Sequence, residues 1–370
     1  MEQTMTEKTA IAELWSQMIA VVRIELTKTF FARRSLWIYL LALLPASLFY
    51  VNSIYARREH ERLARVAVDH AVGRDALRSI RRGSTVGQVV QTLGEPYRKN
   101  SREFWMGRPP QRHERLMYYY TDGEVDFTFF FNDGRLQNTG RSGANQSLPQ
   151  LLLVFASVYQ LYFIRLAIFF GCAGIFTNLF RGEMLDKSLH FYLLAPIPRP
   201  VLVAGKYVAG LFATAIIFSA STALQFYAML RGFDSVTVHE YLQRDGWHHV
   251  ASYMGISALA CAAYGSIFLA AGLIAKNPAV IAALLLLWES VNAFIPGSLK
   301  MASIVFYLQS LCPIEAPPDV TIPPVLLALV APAGRVSTFT GIAVIAGLSL
   351  FVLACSGLLS RRLEINYSAD

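Results

Sequence analysis

The sequence has little charge and few cysteines. Of its 370 residues, 16% are Asp, Glu, Lys or Arg, well below the roughly 25% that is usual in soluble domains. Hydrophobic residues make up 54% of the chain, and its mean hydropathy is +0.41. This composition excludes a disordered chain and an ordinary soluble enzyme. It is typical of a protein with several membrane spans.

Signatures of metal binding and catalysis are missing too. No two cysteines form a C-x-x-C pair, so neither a zinc site nor a disulfide framework is indicated. His239-Glu240 begins the zinc-protease pattern H-E-x-x-H, but the fifth residue is Gln243. The chain also has no G-x-S-x-G sequence. We therefore predict no catalytic, cofactor-binding or metal-ligating residue.

The charged residues are unevenly distributed. Residues 56–147 contain 16 Lys or Arg and 11 Asp or Glu, and the rest of the chain shares the remaining 17 and 14. One water-exposed domain with a net charge of +5 is therefore set into an apolar chain. The overall net charge of +8 could suggest nucleic acid. The basic residues are mixed with acidic ones and form no long run, so no nucleic-acid partner is expected.

Apolar stretches predict the membrane topology. Six of them are long enough to span a bilayer: 35–56, 148–180, 207–230, 250–275, 277–299 and 336–360. The predicted fold is mainly α, a six-helix polytopic membrane domain with a small α+β extracytoplasmic insert between the first and second spans. In chain order, the predicted parts are a cytoplasmic amphipathic helix (1–34), the first span (35–55), the insert (56–147), a membrane domain with five further spans (148–360) and a cytoplasmic tail (361–370).

Two details qualify this topology. The proline-rich stretch 301–330 is predicted to form short interfacial or re-entrant pieces, because proline stops helices. With the N-terminus inside, short loops place twelve Lys or Arg residues inside and four outside. Four arginines directly after the first span disagree with this orientation. We nevertheless expect both termini to be cytoplasmic.

The insert contains a short amphipathic pattern followed by aromatic strands. Ser84 or Thr85 can cap a helix that Gly94 ends. Residues 116–121 and 125–131 are predicted strands joined by the turn Asp122-Gly123. The pattern over about 80–138 resembles the SmpA/OmlA (BamE-like) domain of bacterial envelope proteins. That resemblance implies an extracytoplasmic module for protein contacts without catalysis; the alternative is a generic packed insert.

The most distinctive segment, residues 181–200, lies between the second and third spans on the predicted cytoplasmic side. Its pattern predicts a short helix over about 182–194, which ends before Pro196. The helix begins polar and has an apolar second half. Such a helix at the membrane surface suits docking into a groove on a cytosolic partner. The alternative is an ordinary polar loop.

This segment resembles the intracellular loop of type-2 ABC transporter permeases. The similarity lies in Glu183, Ser188-Leu189, Leu193-x-x-Pro196-x-x-Arg199 and Gly205-Lys206, and the six-span plan fits as well. It implies a coupling helix that receives motion from an ATP-binding cassette subunit. The residues assigned to this coupling are Arg181, Glu183, Asp186, Ser188, Leu189, Leu193, Pro196 and Arg199. It also implies a second permease subunit, in a homo- or heterodimer, and export across a bacterial inner membrane.

ATP hydrolysis is not expected in this chain. A phosphate-binding loop needs G-x-x-x-x-G-K-[ST]. At Gly205-Lys206 the position of the first glycine is Pro200, and Tyr207 follows the lysine. The chain is therefore predicted to bind no cofactor, and ATP is expected in the partner subunit. The rival hypothesis is a non-transporting membrane scaffold whose extracytoplasmic domain recruits envelope proteins.

Two charged residues, Arg165 and Glu289, lie inside predicted spans. Such residues are costly in hydrocarbon, and each is a functional candidate. A direct pair between them is plausible if their helices are offset or tilted. The alternative is that Arg165 lies near the outer interface and extends its charge into water. Lys206 is expected to do the same at the inner interface.

Overall fold

The structure is a computed structural model that describes residues 15–28, 36–106, 111–123, 125–142, 147–185, 198–291, 297–315 and 336–361. The chain forms two compact units. Unit 1 comprises Met1–Leu48, Leu152–Ala228 and Ser235–Asp370, and unit 2 comprises Phe49–Leu151 and Met229–Asp234. Unit 1 is helical in its described parts. Unit 2 contains the sheet.

Long apolar helices dominate the chain. Three of them are single helices: α2 (Leu36–His70), α7 (Arg199–Leu230) and α13 (Thr338–Ser360). A fourth run consists of α5 (Leu148–Val158), a π-helical segment (Tyr159–Ile168) and α6 (Phe169–Leu185). A fifth run consists of α8 (Ser235–Tyr241), a second π-helical segment (Leu242–Gly246) and α9 (Trp247–Ile274). With each continuous run counted once, five described helices are long and apolar enough to cross a membrane. The multi-span prediction is thus confirmed, because even the 23 residues of α13 extend about 35 Å, more than a hydrocarbon core of roughly 30 Å.

The count of six spans is not confirmed. The fifth predicted span corresponds to α10 (Pro278–Val291), which has 14 residues. That length covers only about 21 Å. Two short helices follow in the described part, α11 (Gly297–Lys300) and α12 (Ile304–Leu311). Short pieces were expected after residue 300, and α12 is one of them.

Small residues let the central helices of unit 1 pack closely. A Cβ on Gly265 of α9 would lie 2.5 Å from the Phe176 ring of α6. A Cβ on Gly272 would lie 2.8 Å from the backbone carbonyl oxygen of Thr177. Close backbone approach through small residues is the usual way in which helices associate in lipid. The pair α6 and α9 therefore forms the core of unit 1.

Unit 2 contains a four-stranded antiparallel sheet in the order β1 (Arg98–Met106), β2 (Gln111–Thr121), β3 (Asp126–Asn132) and β4 (Arg135–Ser142). Two short helices precede it, α3 (Arg74–Ser79) and α4 (Val86–Leu93). Tyr118 lies opposite Phe129 in the β2–β3 register, and Tyr120 lies opposite Phe127. These side chains join a core with Leu77, Val89 and Leu93 of the two helices.

The predicted helix and hairpin of the insert are confirmed. Thr85 and Gln88 form a capping box at the start of α4, and Gly94 follows its end with φ +80°. The β2–β3 turn contains Gly123 at φ +95°, a conformation that glycine adopts without strain. Strands β1 and β4 were not predicted, because their polar, arginine-rich sequences lack the alternation that marks β3.

Candidate coupling site and intramembrane polar residues

A buried ion-pair network joins three helices of unit 1. Lys206, on α7, donates through Nζ to Glu25 Oε1 at 2.6 Å and to Glu183 Oε2 at 2.8 Å. Glu25 lies on helix α1 (residues 15–28), and Glu183 lies in the last turn of α6. Lys28, also on α1, donates to Glu183 Oε1 at 3.2 Å. Two acidic and two basic side chains therefore balance one another.

Three of the charged groups in this network are buried, so each of them needs a partner. The Lys206 side chain has no exposed surface, and Glu25 and Glu183 are nearly buried. The expectation that Lys206 extends to the interface is therefore wrong. A buried ammonium group is stable only when it is paired and hydrogen-bonded. Its two carboxylate partners meet this need, and the Phe180 ring lies 5.4 Å from Nζ.

Local sequence explains how α1 reaches Lys206. A Cβ at Gly205 would lie 3.1 Å from Val21 Cγ1, so the absence of a side chain lets α1 pack against α7. Val21 and Glu25 are both buried and share one helix face at a spacing of four residues. Trp15 and Ile19 are exposed. Helix α1 covers residues 15–28 of the segment for which an amphipathic helix was predicted.

The Glu183–Lys206 pair joins the two helices that flank residues 186–197. Most of the predicted coupling residues fall inside that interval and lie outside the described residues: Asp186, Ser188, Leu189, Leu193 and Pro196. Of the helix predicted over 182–194, the structure describes only residues 182–185, as part of α6. Glu183 lies just before residues 186–197, and its carboxylate belongs to the ion-pair network.

The two predicted arginines lie at either side of the same interval. Arg181 is partly exposed on α6. Arg199 begins α7 and donates through Nη1 to the carbonyl oxygens of Ser360 and Arg361, each at 3.2 Å. A cationic donor at a helix C-terminus satisfies carbonyl groups that have no helical partner. Helix α1, both flanks of the 186–197 interval and the end of α13 thus lie at one end of unit 1.

Sequence reasoning identified Glu183 and missed Glu25. Glu183 belongs to the distinctive segment, whereas Glu25 lies 158 residues earlier in a helix that was considered only for its apolar face. A signal was present, because Glu25 follows Val21 by four residues and so shares the face that packs inward. Only the fold shows that Lys206 is its partner.

Glu289 and Arg165 do not form the ion pair that was considered. The Glu289 carboxylate accepts from Ser303 Oγ, from the N–H of Ile304 at 3.0 Å and from the N–H of Val305 at 3.3 Å. It therefore caps the start of α12, where a negative charge is favoured. Among the described residues, Arg165 has no hydrogen bond or ion pair, and its Nε is buried. Arg165 lies in the π-helical segment Tyr159–Ile168, an uncommon geometry that is frequent at functional sites.

These features define a multi-pass membrane protein. In its described part, no group of three or more His, Cys, Asp or Glu side chains could hold a metal ion. The chain belongs to the ABC-2 family of transporter proteins: the model of that family matches residues 19–307, well over half of the chain. No curated protein and no solved structure matches it significantly. In this family the membrane subunit is normally non-catalytic, and the ATPase is a partner.

Proposed function

We propose that the chain is the permease subunit of an ABC-type exporter, coupled through residues 181–200 to a separate ATPase. The family match covers most of α1, the insert and both flanks of this segment. The observation that carries the coupling is the Glu183–Lys206 pair of 2.8 Å at the base of the segment. ATP is bound by the partner, and this chain needs no cofactor of its own.

The ion-pair network gives the segment a stiff attachment. A push on residues 186–197 acts on α6 and α7 together, because Glu183 and Lys206 tie these helices to each other. Helix α1 moves with them through Glu25 and Lys28. Arg199 connects the same end to α13 through the carbonyl oxygens of Ser360 and Arg361. A motion of the ATPase would therefore reach several membrane helices as one rigid-body displacement.

The rest of the assembly follows from this assignment. A second permease subunit, identical or different, completes the substrate path between the two. The excess of Lys and Arg in the inner loops supports cytoplasmic termini in a bacterial inner membrane. The exposed apolar residues Trp15 and Ile19 of α1 suit a helix on the lipid surface. The SmpA/OmlA-like insert is then extracytoplasmic and available to a periplasmic protein.

Mild-detergent purification of the tagged full-length chain from its own cells, followed by mass spectrometry, tests this proposal. We expect a stoichiometric ATP-binding cassette subunit, which Leu193→Ala weakens at least several-fold. Leu350→Ala is the matched control, since Leu350 is an exposed residue on α13. If no ATPase is retained and envelope proteins bind through the insert instead, the scaffold hypothesis replaces this one.

A further inference from the structure

Arg165 is a charge deep in a long apolar helix. The continuous run Leu148–Met184 has 37 residues, so Arg165 lies about 25 Å along it from Leu148 and about 28 Å from Met184. A charged side chain within a predicted span is a functional candidate. Arg165 is partly exposed, but its Nε is buried and lacks a hydrogen-bond partner among the described residues.

Glu289 does not supply that partner. Both of its carboxylate oxygens are engaged by Ser303, Ile304 and Val305, at the N-terminus of α12. The Glu289 charge is therefore offset by three donors and a helix dipole. The guanidinium group is left with unused hydrogen-bonding capacity.

A second unused donor lies on α9, the helix that packs against α6. Tyr264 of α9 is fully buried, and its hydroxyl group has no hydrogen-bond partner among the described residues. Its ring packs edge-on against Phe169 at 5.3 Å, and Phe169 lies one helical turn beyond Arg165. A buried donor without a partner is destabilising, and more so when it is charged.

We propose that Arg165 and Tyr264 bind the anionic headgroup of an amphiphile, a phosphate or carboxylate group attached to an apolar tail. The guanidinium fork matches the two oxygens of either group, and the hydroxyl group adds a third donor. The rings of Phe169 and Phe268 pack against Tyr264, with centroids at 5.3 Å and 6.4 Å, and supply apolar surface for the tail. The headgroup can come from a bilayer lipid or from the transported molecule. The second source rests on the proposed function, whereas the binding site itself does not.

Native mass spectrometry of the purified full-length chain in a neutral detergent tests the site. The probe is phosphatidylglycerol, with a diacylglycerol of the same tails as the uncharged comparison. We expect selective retention of phosphatidylglycerol, reduced about tenfold or more by Arg165→Gln, as for the loss of a charged hydrogen bond. Tyr264→Phe should reduce it about two- to tenfold, and Arg165→Lys should restore part of it.

Arg244→Gln is the control, because this substitution removes the same charge from a side chain that is 86% exposed. It should leave retention unchanged. Thermal unfolding of each variant shows that the fold is intact. Equal retention by the wild-type chain, Arg165→Gln and Tyr264→Phe would overturn the proposal, as would equal retention of the uncharged diacylglycerol.

A second arm separates the two sources and keeps this inference distinct from the proposed function. The chain is reconstituted with its ATPase, and ATP is added after probe binding. Release of the bound probe on ATP turnover identifies a transported amphiphile, and retention identifies a structural lipid. If no ATPase associates but Arg165-dependent binding persists, the proposed function fails and the site stands. If the ATPase couples but binding ignores Arg165, the site fails.

Discussion

Lys206 shows how much a single side chain determines in this chain. Its ammonium group has no exposed surface and is held between Glu25 and Glu183. Breaking a buried ion pair by removing one partner is strongly destabilising, because the other charge stays buried without compensation. Lys206 thus contributes most to the attachment of α1 and α6 to α7.

Lys206→Met should therefore lower the free energy of unfolding by about 3–5 kcal/mol. Lys28→Met is the matched control, because Lys28 also pairs with Glu183 but is 52% exposed. That change should cost about 1 kcal/mol or less. Thermal unfolding in detergent measures both. A similar loss in the two variants would show that the buried pairs contribute little.

Asp126 makes the stability of the insert depend on pH. Its Oδ2 accepts from Tyr97 Oη at 2.6 Å and from Arg62 Nη2 at 3.4 Å. Burial raises the pKa of the Asp126 carboxyl group, and this effect exceeds the opposing effects of the Tyr97 hydrogen bond and the Arg62 charge. The folded state therefore binds the proton more tightly than the unfolded chain.

The insert should thus lose stability as pH rises from about 4, the ordinary pKa of Asp, through the raised pKa of the folded state. Asp126→Asn should flatten this dependence, since the amide oxygen still accepts from Tyr97 but does not titrate. Hydrogen exchange of β2 and β3 in the full-length chain measures it. Asp69→Asn, at an exposed position of α2, should leave the slope unchanged; equal slopes in all three proteins would contradict the assignment.

At the scale of elements, two glycines of α9 differ in what surrounds them. Gly272 faces the backbone of Thr177, whereas Gly255 has nothing within 4 Å of the position of a Cβ. Gly272→Ala should lower the free energy of unfolding by about 1–3 kcal/mol, because backbone atoms cannot move aside. Gly255→Ala should be neutral or stabilise by up to about 1 kcal/mol. Melting temperatures of the two variants test this difference, and equal values would mean that α6 and α9 do not pack closely.

Elements with strong local signals could be predicted from the sequence, and those fixed by tertiary contacts could not. Thr85, Gly94 and the alternating phenylalanines of β3 predicted a helix, its end and a strand correctly. The polar strands β1 and β4 form because they pair with β2 and β3, which no local pattern reveals.

On the scale of the whole molecule, the candidate site was predictable in part. The segment that begins at Glu183 stands out by its proline stop and by its resemblance to a family that the chain indeed belongs to. The ion pairs that attach this segment to the membrane helices could not be predicted. Glu25, Glu183 and Lys206 are far apart in sequence and meet only when three helices pack. We propose that this buried network supports a segment through which an ATPase is coupled to the membrane helices.

Site-specific cross-linking tests that claim most directly. A photoreactive residue is introduced at Leu189 in the full-length chain, and the adducts are identified by mass spectrometry after illumination of the native membrane. We expect an adduct with an ATP-binding cassette subunit at Leu189 and none at the control position Leu350. An adduct only with other proteins, in membranes where that subunit is present, would contradict it.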